Sequence, residues 1–123
     1  MRKLSRYSEH RMSMLKNLSI SLFKEGRIVT TLARAKELRR FADPMITRAK
    51  VESLASRRIL LSRLHNNKDI VNKLFKIAQS NKDRPGGYIS YIRCGFRSDS
   101  GEKALVRIID YPTEEVVNDQ GNK

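Results

Sequence analysis

At 123 residues the chain is long enough for one domain and too short for two well-filled cores. It carries 26 Lys and Arg against 13 Asp and Glu, a net charge of +13 that repels itself unless a polyanion neutralises it, while its 39% apolar content is patterned, which excludes a wholly disordered chain. The single Cys94 excludes an internal disulfide or a thiolate zinc cluster and fits a reducing compartment, no apolar run reaches the roughly 18 residues of a membrane span, and Met1-Arg2-Lys3 leads into no secretory signal core, so a soluble, intracellular, polyanion-binding chain is expected.

Residues 1–7 read as a basic arm carrying Arg2, Lys3 and Arg6. Ser8 is the expected N-cap of a first helix running to about Lys24, with Leu15, Leu18 and Leu22 at steps of three and four, and Gly26 ends it. Ile28 to Thr31 is a β-favouring run, and Thr31 is positioned to cap a second helix with Ala35, Leu38 and Ala42 on one face. Asp43-Pro44 is expected to kink or restart that helix. Leu54, Leu61 and Leu64 mark a third helix, Asn66-Asn67 punctuates, and Ile70, Val71, Leu74 and Ala78 form the stripe of a fourth, whose Lys68, Lys73 and Lys76 are expected to be solvated. Arg84-Pro85-Gly86-Gly87 breaks the chain before two strands at 88–94 and 104–110, joined by Asp99-Ser100-Gly101 as an antiparallel hairpin. Residues 112–123, with Glu114, Glu115 and Asp119, read as an acidic, disordered tail.

The order α-β-α-α-α-β-β describes an α+β, two-layer domain over residues 8–111, with helices packed on a small three-stranded sheet. Because three helices separate the first strand from the hairpin, a mixed sheet is expected, and the strand order stays open.

Catalytic chemistry finds little support. His10 and His65 lack metal-ligand spacing, Cys94 in a strand pattern reads as a small hydrophobe, and Gly86-Gly87 precedes a strand where a phosphate-cradling loop would precede a helix. No enzyme, cofactor or metal is expected. The informative feature is the basic series Arg11, Lys16, Arg27, Arg34, Lys36, Arg39 and Arg40, which barely mixes charge signs. Residues 1–64 hold 16 basic and 5 acidic side chains; residues 65–123 hold 10 and 8. Helical spacing places Lys36, Arg39 and Arg40 together with Arg34 elsewhere, and Thr30-Thr31 offers hydroxyls and helix-start amides to a phosphate or simply caps the helix. Gly86 and Gly87 allow close backbone approach; Tyr88 and Tyr91 stack on an unpaired base or pack across the hairpin, and packing is the favoured expectation.

The run Ile28-Val29-Thr30-Thr31-Leu32-Ala33-Arg34-Ala35-Lys36-Glu37-Leu38-Arg39-Arg40 resembles the signature of the family of the seventeenth protein of the bacterial large ribosomal subunit. Ser8-Glu9-His10-Arg11, Pro44-Met45-Ile46-Thr47-Arg48-Ala49-Lys50, Gly86-Gly87-Tyr88 and Arg93-Cys94-Gly95-Phe96-Arg97 are similar to the same family, in the same order, over about residues 2–111. The resemblance implies a structural protein near the polypeptide exit region, cytoplasmic within the ribosome, with large-subunit (23S-type) ribosomal RNA and neighbouring ribosomal proteins as partners. It implies a two-layer α/β domain with a mixed three-stranded sheet. The family's basic arm before Arg2 is short here, and its Thr-Arg pair after the glycine turn is replaced by Ile89-Ser90, so no basic contact is expected at Ser90.

Charge and motif together nominate an RNA-binding set. It begins with Arg2, Lys3 and Arg6, followed by His10, Arg11 and Lys16 on the first helix, then Arg27, Thr30 and Thr31. The second helix adds Arg34, Lys36, Arg39, Arg40 and Lys50, and the third adds Arg57 and Arg58. Arg84, Gly86, Gly87, Arg93 and Arg97 complete it. The alternatives are a nucleoid-type DNA-binding module, which lacks a tight turn between the second and third helices, and an RNA-processing enzyme, which lacks a catalytic cluster.

Overall fold

A computed structural model describes residues 5–96 and 101–112. These form α1 (Ser5–Glu25), β1 (Arg27–Thr31), α2 (Leu32–Ala49), α3 (Leu54–Arg63), α4 (Lys68–Ser80), β2 (Ile89–Phe96) and β3 (Glu102–Ile108), the expected order. Helix α1 starts three residues before Ser8, so Ser8 lies in its first turn and the last three residues of the expected arm are helical. Ser5-Arg6-Tyr7 contains no helix breaker, and nothing local stops the helix from extending back to the earlier serine.

Gly26 ends α1 with φ +87, its N–H donating to the Leu22 carbonyl at 2.8 Å. The Tyr111 hydroxyl donates to the Phe23 and Lys24 carbonyls at 2.7 and 2.8 Å, satisfying acceptors that the helix end leaves open. The Thr31 side chain caps α2 as expected, accepting from the Arg34 N–H at 3.3 Å. Helix α2 does not restart at Asp43-Pro44: it is one element of 18 residues with Pro44 inside it. Pro44 is exposed, so the Arg40 carbonyl that loses its i+4 donor lies on the solvent-facing side of the helix, where leaving it without an intrahelical partner costs little.

Ala35, Leu38, Ala42, Met45, Ile46 and Ala49 are buried and make α2 the spine of the core. In α3 the buried leucine is Leu60; Leu54 is exposed and Leu61 half-buried. The contiguous Ile59-Leu60-Leu61 run carries no period that selects among them. Beyond α3, His65 and Asn66 take left-handed φ values of 55 and 57, and the Asn67 side chain accepts from the Ile70 N–H to start α4. Helix α4 buries Ile70, Val71, Leu74, Phe75, Ile77 and Ala78.

The sheet order is β1-β3-β2, and both pairings are antiparallel. The expected mixed sheet is therefore not formed. Strands β1 and β2 do run the same way, as a three-helix crossover allows, but the hairpin return β3 inserts between them and runs against both. Ala104, Val106 and Ile108 of β3 face the helices and are buried. The register shifts between Arg93 and Gly95, and Cys94 at this bulge on an edge strand is exposed, not packed as a small hydrophobe. Asp99 and Ser100 of the expected turn lie outside the described residues.

Candidate nucleic-acid interface

The glycine turn is held from behind. Tyr88 is fully buried; its N–H donates to the Asp43 carboxylate at 3.0 Å, and its hydroxyl accepts from Thr47 Oγ1 at 3.2 Å. Lys50 Nζ lies 4.9 Å from the Tyr88 ring centroid and donates to the Arg84 carbonyl. Burial works to raise the Tyr88 pKa, but the hydrogen bonds from Lys50 and Thr47 and the Lys50 charge outweigh it, so the phenol lies below its ordinary value. Tyr88 is thus packed, as favoured, and closed to a base. Gly87 sits at φ +64 with open space around its Cα, so backbone conformation demands the glycine there.

Several nominated cations hold the fold together. The Arg11 guanidinium grips Glu37 with two nitrogens, Nε at 3.0 Å, pinning α1 to α2. Lys16 Nζ donates to the Ser62 carbonyl at 3.3 Å. Arg57 bonds Glu52 at 3.0 Å and Asn72 at 2.9 Å while lying 4.8 Å from the Phe75 centroid. Arg84 bonds Asn81 and Asp110, each at 3.3 Å. Asn81 itself is buried and ties the end of α4 to the end of β3 through the Ile77 and Ile109 carbonyls. Arg93 pairs with Glu102 at 3.3 Å, yet its side chain is 69% exposed. Lys73, expected to be solvated, is half-buried with Nζ 5.2 Å from the Tyr111 centroid.

Other nominated residues are open. His10, Arg27, Arg34, Lys36, Arg39, Arg40 and Arg58 are exposed, and Thr30 is half-buried on β1. Lys36, Arg39 and Arg40 converge with Tyr91 around one surface depression, with Arg34 outside it. The Arg39 guanidinium carbon lies 5.7 Å from the Tyr91 centroid. Arg2, Lys3 and Arg97 lie outside the described residues, as does the Arg6 side chain.

Two of the basic positions that were not nominated stand out in the structure. Arg48 is exposed on α2 and shares a second depression with Thr47, Ser56 and Arg63. The spacing of Lys36, Arg40 and Arg48, one four-residue step and then two with Pro44 between, could have found it: together they span about 18 Å of the helix. Arg107 stands directly opposite Arg27 in the β1–β3 register, and both are exposed. Like charges so placed destabilise the pair unless an anion lies between or above them. Beside them Val29, Leu105 and Ile92 form a cross-strand row, with Val29 56% and Ile92 59% exposed.

Among the described residues no group of three His, Cys, Asp or Glu could hold a metal ion. No described helix is long and apolar enough to cross a membrane. What remains is a small α+β scaffold with a helix face of unpaired cations, the class of protein that packs against a polyanion. Residues 14–111 match the family model of Ribosomal protein L17, and the chain belongs to that family. It is a structural, non-enzymatic protein of the large ribosomal subunit, and it serves translation. The DNA-binding and RNA-processing alternatives are left without support.

Proposed function

We propose that the chain binds large-subunit (23S-type) ribosomal RNA and holds separate segments of it together near the polypeptide exit region, within cytoplasmic ribosomes. The observation that carries this reading is the convergence of Lys36, Arg39 and Arg40 on one exposed face of α2. Among the described residues none of the three has an acidic partner, and the nearby Glu37 is taken by Arg11. Arg27 and Arg107 on the outer sheet face offer a second RNA segment a separate basic surface. Neighbouring ribosomal proteins are the second class of partner, and the apolar row Val29, Leu105 and Ile92 supports a contact of that kind. The exit-region placement rests on the motif resemblance.

The expectations for the start of the basic arm, residues 1–4, and for the tail, residues 113–123, lie outside the described residues. Nominated residues with internal partners, such as Arg11, Arg57 and Arg84, contribute by fixing the elements that carry the open cations. Affinity for a large-subunit RNA fragment, measured across a salt series, tests the reading. A steep loss of affinity with salt is expected from counterion release; a flat response would overturn phosphate neutralisation.

A further inference from the structure

We infer that Arg39 and Tyr91 form a stacking platform for one unpaired base of single-stranded RNA, with Lys36 and Arg40 holding its flanking phosphates. This rests on the RNA-binding reading and narrows it from phosphate neutralisation to recognition of an unpaired nucleotide.

Exposed cations alone would serve a duplex backbone. An aromatic ring in their midst adds something else: a phosphate can accept from the tyrosine hydroxyl, but only an unpaired base uses the face of the ring. Tyr91 lies on the helix-facing side of the edge strand β2, opposite Val106, and is half-buried against the core. One side of the ring is held by that packing, and the Arg39 guanidinium carbon lies over the ring, 5.7 Å from its centroid. A planar guanidinium held on an aromatic ring presents a π surface of its own, and unpaired bases stack on both kinds of plane.

The surroundings fit the same ligand. Lys36 and Arg40 line the depression one helical turn apart, placing two cations on the wall beside the platform. Arg39 makes no ion pair among the described residues, so its charge is not committed elsewhere. The other basic depression, with Arg48 and Arg63, contains no aromatic residue and offers phosphate contacts only. Tyr88, the other tyrosine of the hairpin, is closed off in the core. Stacking is tolerant of base identity, so an arbitrary single strand can report on the platform.

The test uses the full chain and two labelled probes, a single-stranded oligoadenylate and a fully paired RNA duplex, with variants compared at one salt concentration and the wild type followed across a salt series. Arg39→Lys keeps the charge and removes the plane. Tyr91→Leu keeps apolar packing and removes the ring, with its fold checked by circular dichroism; Arg39 is exposed, so its variant keeps the fold. Each variant is expected to bind the single strand about tenfold more weakly. Duplex affinity should stay within about twofold, and 2-aminopurine in the single strand should lose its quenching on binding. Wild-type affinity of Arg39→Lys for the single strand would overturn the platform while leaving RNA binding intact, as would equal losses on both probes. Salt-independent binding of both probes would overturn the platform and the reading beneath it.

Discussion

The Asp43 carboxylate accepts a hydrogen bond from the Tyr88 N–H at 3.0 Å, joining the middle of α2 to the residue just before β2, 45 positions later. The bond seats the glycine turn on the same helix that carries the basic face, so the Tyr91 edge of the sheet is set against Arg39 by a contact one helical turn away. Tyr88 is fully buried, and its N–H has no water to fall back on.

Asp43→Ala should therefore cost about 1.5–3 kcal/mol, the range for a hydrogen bond to a charged group lost from a buried partner. Asp43→Asn retains a carbonyl acceptor and should cost clearly less. Urea unfolding of the two variants checks the ordering; equal losses would show that the acceptor is not what Asp43 supplies.

Tyr88 also yields a prediction in pH. Its phenol is depressed below the ordinary value of 10.0, so the fold favours the phenolate. The linked stability is absent at neutral pH, appears as pH rises through the depressed pKa, and is complete above the unfolded value. An alkaline absorbance titration should show one tyrosine ionising early. Lys50→Met removes a hydrogen bond and a positive charge, and should move that titration upward; no movement would mean Lys50 does not set it.

Gly26 is constrained twice over. A Cβ there would meet the Tyr111 ring at 2.8 Å, and φ is +87. Gly26→Ala should lose about 1–2 kcal/mol to the left-handed backbone alone, with the clash added. In a Tyr111→Ala background the clash disappears and the strain stays, so thermal melts should show a smaller effect of Gly26→Ala there. An unchanged effect would mean that the ring yields freely.

Features set by neighbours in the chain were legible. Thr31 caps α2 because a side-chain oxygen needs only the amide three residues on, and Lys36, Arg39 and Arg40 share a face because 3.6 residues make a turn. What depended on register or distant pairing was not. Arg11 meets Glu37 across 26 positions, Arg107 meets Arg27 only once β3 lies between β1 and β2, and Lys73 reaches Tyr111 from another element. The antiparallel sheet was missed for the same reason: the crossover sets the relative direction of β1 and β2, and the hairpin decides which strands touch. Arg48 is different, since its eight-residue spacing from Arg40, two four-residue steps, was visible in the chain.

The basic face of α2 allows a comparison between local clustering and total charge. Lys36, Arg39 and Arg40 are exposed, and alanine is a good helix former, so replacing all three should leave the fold intact. Binding to a large-subunit RNA fragment should weaken, and the log–log salt slope should become shallower by about two to three, one contact per cation. The control removes the same charge elsewhere. Lys73 is unsuited to it because its ammonium lies over Tyr111, so Lys24, Lys68 and Lys82, all exposed, are the appropriate set. Both triple variants lose three positive charges, hence any effect of net charge on long-range attraction is common to them. Only direct RNA contacts, to phosphates and to a base stacked on Arg39, distinguish them, and those should make the α2 variant the weaker binder with the shallower slope. Equal affinities and slopes would mean that the face is not a site and that charge acts without regard to place.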